Sequence, residues 1–340
     1  MAVVTLSLAV AAIPSTAYAG GGKNGSGNQV GNVTAGSGQG KISVETKVVP
    51  KPNGGGADKA DSGENGSLSS SDSSWTPPAC WYEPAFTPTE FKSWVDGWRA
   101  IPVFGIGQMI GGMFDLQYKT GDPAKGGYKD YNLDQEGKGM FWAAVVNPNR
   151  KDDPAANSCN DLPFWVPNGT KPSNPKALNP KTLAEYAYDE LELPSSNVTT
   201  APNGTSTVNL PTWVWSTNAN FTKKSVTASL PGSGLSATTT AEPVSVRIDP
   251  GTSDAQVFPD SGNCVINQGR VGEPFTAGKA NQDPPCGVKY LRPGTYSLKA
   301  TVTWKITWSS SDGQGGALPD GIYTGKPQPV TVQEIQSVNR

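Results

Sequence analysis

The chain has 340 residues, a length that fits two domains or one domain plus a long unstructured part. Its 27 basic and 29 acidic side chains give a formal charge of -2, which offers no cationic surface to nucleic acid or to an anionic membrane. There is no histidine, so Ser-His-Asp and Cys-His nucleophilic sites are excluded, as is every metal site that needs an imidazole. Residues 1–19 are apolar and uncharged, running through Val3, Val4, Leu6, Leu8, Val10 and Ile13 to the small-x-small end Ala17-Tyr18-Ala19. This predicts a secretory signal peptide cut before Gly20, and hence a secreted or cell-surface protein. No Lys or Arg precedes the run, which points to a start upstream of Met1. The run is shorter than the roughly 20 residues a bilayer demands, so no stable membrane span is expected after signal cleavage.

From Gly20 to Ser74 the chain is Gly, Ser, Asn and Lys with few large apolar groups beyond Val30, Val33 and Ile42-Ser43-Val44. Such a stretch buries too little surface to offset its ordering entropy. It predicts a disordered tether over 20–74, in which only 41–49 has the makings of a strand. Folded structure is expected from Trp75, where Trp75, Cys80, Trp81, Tyr82 and Phe86 arrive together.

Residues 75–207 read as a small α+β domain rich in aromatic residues. Thr87, Pro88 and Glu90 supply a capping box and a first-turn proline for a helix over 88–100. Phe91, Trp94, Val95 and Trp98 then form one apolar stripe. A second helix is predicted over 180–191, capped by Asn179 and stopped by Pro194. It has Leu183, Ala184, Ala187 and Leu191 on one face and Glu185, Asp189 and Glu192 on the other. Between the two lie short aromatic segments, Met140-Phe141-Trp142 and Phe164-Trp165-Val166.

Beyond 208 the period changes to two. Val226, Ala228 and Leu230 alternate with polar residues, Pro231-Gly232-Ser233-Gly234 turns the chain, and Leu235, Ala237, Thr239 and Ala241 resume, followed by Val244, Val246 and Ile248. The clearest alternation is 296–308, with Tyr296, Leu298, Ala300, Val302, Trp304, Ile306 and Trp308 at the even positions. Val330 and Val332 suggest a closing strand. Many strands with turns between them and no helical pattern predict a β-sandwich over 208–340. The fold class is therefore mainly β: a tether, an α+β domain and a sandwich.

Four cysteines, Cys80, Cys159, Cys264 and Cys286, contain no C-x-x-C pair. An even count in an exported chain favours disulfides, and three pairings are open. Nearness in sequence favours Cys80–Cys159 and Cys264–Cys286, one per domain, each contributing about 3–4 kcal/mol by chain entropy.

Several segments in this order carry a resemblance: Leu210-Pro211-Thr212-Trp213-Val214-Trp215, the Cys264 and Cys286 pair, Tyr290-Leu291-Arg292-Pro293-Gly294-Thr295-Tyr296, the Trp304-to-Trp308 strand and Val332-Gln333-Glu334-Ile335-Gln336. Together with the 182–193 helix they resemble a family of secreted actinobacterial proteins of uncharacterised function, well over 178–340 and loosely over 75–177. The C-terminal part is similar to PKD and other immunoglobulin-like modules, although Asp249-Pro250-Gly251 stands where such modules often carry Gly-Asp-Gly. Family members are frequently labelled nucleotide-binding proteins or reductases and are often encoded near pilus-type secretion genes, so the resemblance implies a link to surface appendages.

The residues themselves support little chemistry. Ile101 to Gly112 superficially matches a dinucleotide loop, an apolar strand-like run into G-x-G-x-x-x-G. No crossover helix is expected after it, because Asp122-Pro123 and Gly126-Gly127 break the chain, so packing beneath the Trp-bearing helix is the better reading. Asp152, Asp153, Asp161, Glu185, Asp189, Glu190 and Glu192 are the available acids, and no spacing sets a pair across a substrate. Asp249, Asp254 and Asp260 lack the D-x-D-x-D-G calcium pattern. Trp213, Trp215, Trp304 and Trp308 read as core, whereas Trp81 and Trp165, beside prolines, are the better candidates for a ligand-stacking platform. No cofactor and no metal is expected. The resulting expectation is a non-catalytic binding or assembly protein with a protein or glycan of the cell envelope as partner and no nucleic acid. The alternative is a histidine-free extracellular carbohydrate-active hydrolase or carbohydrate-binding protein.

Overall fold

The structure, a computed structural model, describes residues 32–34, 42–48, 66–100, 106–193, 198–216, 221–231, 233–280 and 282–335. The expected signal peptide over 1–19 lies outside those residues, as do 20–31, 35–41 and 49–65 of the expected tether. The described chain opens with short strands, β1 (Asn32–Thr34), β2 (Ser43–Val48), β3 (Gly66–Ser67) and β4 (Ser69–Ser70). An aromatic unit follows: β5 (Cys80–Phe86), helices α1 (Pro88–Arg99) and α2 (Ile106–Tyr118), β6 (Gly139–Val146) and β7 (Phe164–Pro167). Helix α3 (Pro180–Asp189) leads through β8 (Glu192–Leu193), β9 (Thr199–Ala201) and β10 (Thr205–Thr207) to β11 (Pro211–Trp215), β12 (Lys224–Leu230) and β13 (Leu235–Asp249). After these come β14 (Ala255–Phe258), β15 (Asn263–Asn267), β16 (Arg270–Val271), β17 (Gly287–Tyr290), β18 (Gly294–Ser310), β19 (Gly315–Thr324) and β20 (Gln328–Gln333).

Alternation in the sequence becomes the buried face of the long strands. In β18 the even positions Leu298, Ala300, Val302, Trp304 and Ile306 are buried, and Lys305 and Thr307 are exposed. In β13 the odd positions Ala237, Thr239 and Ala241 face the core, then a register shift between Pro243 and Ser245 moves the phase to Val246 and Ile248. One extra residue in a bulge has that effect. Val244, expected in the core stripe, is left half-buried.

The large sheet runs β1-β2-β12-β13-β18-β19-β4, with β20 on the first part of β18 and β15 on the second part of β13. A second sheet runs β14-β17-β11-β9. Val226, Ala228 and Val302 of the first sheet, Val214 and Val288 of the second, and Leu183 and Ala187 of α3 belong to one core. A buried cross-layer bond, Thr239 Oγ1–H to Ala184 C=O at 2.7 Å, ties β13 to α3. The architecture is mainly β with several antiparallel sheets, as the alternation predicts.

The expected tether is not free throughout. Strand β2 pairs with β12 and buries Ile42 and Val44, while β3 pairs with β8, β4 pairs with β19, and Leu68 packs on the core. The strand expected at 41–49 is β2, whereas low average hydrophobicity masked the short run 66–70, whose Leu68 packs on a core supplied by distant sequence. The expected boundary at 207/208 likewise falls inside a shared core, since β9 pairs with β11 and β10 with β20.

The disulfides are Cys80–Cys159, with Cα atoms 6.1 Å apart, and Cys264–Cys286, at 5.5 Å. The first pins β5 to the turn after 154–158, and the second joins β15, at the edge of the large sheet, to the residue before β17.

Candidate functional site

The aromatic unit is organised from Phe91 outwards. Thr87 caps α1 with both bonds of a capping box, and the apolar stripe then buries Phe91 and Val95. Phe91 lies 4.5 Å from Phe141 of β6 and 4.7 Å from Tyr118 of α2, measured between ring centres. Trp94 meets Phe114 edge-on at 5.3 Å. Arg99, at the end of α1, bonds Asp96 at 2.7 Å and also pairs with Asp115 of α2, and Tyr131 donates its hydroxyl proton to Asp115. Burial, and then the Asp115 carboxylate, push the Tyr131 hydroxyl up to about 12. Asp130, Tyr131 and Asn132 hold φ of 40°, 56° and 54°. Left-handed backbone costs non-glycine residues about 1–2 kcal/mol each, and the buried Tyr131 ring holds this turn in place.

Helix α2 corrects the sequence reading of Ile101–Gly112. From Ile106 this run is helical rather than strand-like, and it does pack against α1. Glycine weakens a helix by about 1 kcal/mol per residue, and Gly107, Gly111 and Gly112 hid this one. Tertiary contact explains Gly111, whereas Gly112 faces open space. A Cβ at Gly111 would run into the Arg99 side chain that crosses it, so glycine permits the approach.

The outer side of α2 is left uncovered. Met109, Met113 and Leu116, at i, i+4 and i+7, are 59%, 49% and 73% exposed, opposite the face that carries Gly111, Phe114 and Tyr118. Isolated exposed apolar residues need no explanation, but an aligned stripe on one helix is a contact surface in waiting.

A second feature lies between the three-stranded sheet β5-β6-β7 and α3. Glu83 of β5 is buried, and its carboxylate accepts from Trp81 Nε1–H at 2.7 Å. Burial pushes the Glu83 carboxyl up to about 7, against the pull of that single donor. The Trp81 ring meets Tyr186 of α3 edge-on at 5.4 Å. One turn on, Asn147 Nδ2–H bonds Asp189 at 3.2 Å and Asn149 Nδ2–H bonds Glu190 at 2.8 Å. Burial, followed by the Glu190 charge, raises the Tyr186 hydroxyl. Beside this seam is an open cleft of about 240 Å³ lined by Trp81, Lys176, Asn179, Lys181, Thr182 and Glu185. Lys181 pairs with Glu185, one turn on along α3, at 3.6 Å.

Most sequence candidates are scattered or occupied. Trp81 is buried under Tyr186 and presents no free face to a ligand, and half-buried Trp165 packs edge-on against Phe141 at 5.3 Å. Both tryptophans lie in strands, Trp81 in β5 and Trp165 in β7. Trp213 and Trp304 are buried, and Trp308 is partly buried against the core. Asp153 holds the Ala155 amide and Arg150, Asp249 accepts from the Gly251 amide, and Asp254 pairs with Arg292. Among the described residues, no group of three or more His, Cys, Asp or Glu is placed to hold a metal ion. Sequence reasoning missed the α2 stripe and Glu83. The i, i+4, i+7 spacing of Met109, Met113 and Leu116 was the signal for the first, whereas no periodicity marks Glu83, because Cys80, Trp81, Tyr82 and Glu83 are all buried in succession.

Comparison with protein-family models, with curated proteins and with solved structures finds no match.

Proposed function

We propose that this chain is a secreted or cell-surface binding and assembly protein without catalytic activity, related to the secreted actinobacterial proteins it resembles and linked to surface appendages. In this reading its β-rich part is an immunoglobulin/PKD-like sandwich that serves as a rigid base, and its partner is a protein of the cell envelope. The observation that carries the reading is the exposed stripe Met109–Met113–Leu116, held up on a helix whose other face is locked by Phe114 and Tyr118. A soluble chain with such a stripe gains by covering it. Two disulfides are compatible with a place outside the cytoplasm, and no helix among the described residues is long and apolar enough to cross a membrane.

The test uses the intact protein as bait on a cell-envelope fraction. Met113→Asp and Leu116→Asp change exposed positions, so the fold is expected to stay intact while partner capture falls at least tenfold. Unchanged capture by the folded variants overturns the role of α2. Turnover of a polysaccharide or ester that disappears on Glu190→Gln in a folded protein overturns the non-catalytic reading.

A further inference from the structure

The edge of β12 is closed by a strand that reaches it from far upstream. Strand β2 runs antiparallel to β12 over six residue pairs, from Ser43 opposite Ser229 to Val48 opposite Lys224. Ile42 and Val44 thereby join Val226, Ala228 and Leu230 in the main core. Without β2, the β12 edge would present a row of unpaired N–H and C=O groups beside an apolar face short of two side chains. An edge of that kind templates pairing with any suitable extended segment.

Seventeen residues, 49–65, separate the donor β2 from the next described strand, β3, and fully extended they would reach about 55–60 Å. Within one sheet the chain must travel from β2 past β12, β13, β18 and β19 to β4, five strand spacings or about 24 Å. By chain length alone, residues 49–65 can carry the same strand to the same edge on a neighbouring molecule. Every copy carries both the donor and the acceptor, and the exchanged pairing has the same register and the same contacts as the closed one. No new interface has to evolve.

We propose that the β12 edge is a strand-acceptor site and that copies of this chain link by exchanging residues 42–48. The occupant is thus the corresponding strand of a second copy. A chain's own strand is held at an effective concentration in the millimolar range, so dilute protein stays closed. Exchange prevails where copies are crowded to a similar density, as in an array on a surface. This deepens the assembly reading and rests on it, but it does not involve α2, so the two fail separately.

The test mixes full-length chains with two different tags, one carrying Ser43→Cys and the other Ser229→Cys, positions opposite each other in register. Non-reducing electrophoresis should show a covalent heterodimer of both tags that rises at least tenfold between about 10 μM and about 1 mM. A single chain with both substitutions should close on itself when dilute and form interchain ladders when concentrated. Intrachain closure at every concentration, with no heterodimer, overturns the proposal. So does the absence of both bonds, because β2 is then not seated on β12. Wild-type chains with the two tags give a reading without substitutions: after incubation together at about 1 mM and dilution, each tag should co-purify the other, and failure to do so overturns the exchange.

Discussion

Glu83 is the residue whose chemistry departs furthest from its ordinary state. Its carboxyl titrates near 7 in the folded protein and near 4.5 as a free side chain. The folded state therefore binds the proton more tightly, and stability falls as pH rises from about 4.5 to about 7, then levels off. The shift limits the effect to at most about 3 kcal/mol. Glu83→Gln keeps the shape and can never ionise, so urea midpoints of the variant should be flatter than wild type between pH 5 and 8, with the variant the more stable at pH 8. Equal pH slopes for the two proteins would show that Glu83 is solvated. None of this was legible beforehand, because one acid in an aromatic strand reveals its burial only when β6 and α3 close over it.

The elements divide according to whether local or distant contacts decide them. α1 and α3 were legible to within a residue or two because each has a cap, a first-position proline and a single apolar stripe. Removing a cap tests this directly. Thr87→Ala deletes the Thr87 Oγ1 acceptor of the Glu90 amide and should cost about 1 kcal/mol in a urea titration, whereas Thr87→Ser should be close to neutral. A Thr87→Ala variant as stable as wild type would mean that α1 is held by packing alone. α2 escaped notice because its glycines argue against a helix, and the Arg99 side chain over Gly111 explains one of them only in the folded chain. The long strands were legible from alternation, yet the phase change at Pro243 was not, since a bulge adds a residue without changing composition.

At the scale of the molecule, the cross-links join parts that the chain brings together late. Cys264–Cys286 fastens the large sheet to the β14-β17-β11-β9 sheet. Replacing both cysteines by alanine should cost about 3 kcal/mol and lower the thermal midpoint by several degrees. Non-reducing peptide mapping should recover this pair and Cys80–Cys159, and a Cys80–Cys264 peptide would contradict the architecture. The C-terminal region was legible as β-rich and β2 as a strand, but the sheets that β2, β3 and β4 join were not, because their partners lie far away in sequence. That distance has a consequence for how the protein is born. Ser70 meets Gly321, and Val44 meets Ala228. A chain emerging from its N-terminus must carry β2 without β12 until about two thirds of it has been delivered, and β4 without β19 until nearly all of it has. Such high contact order makes for slow closure of the sheet and a long interval in which the nascent protein remains extended and threadable.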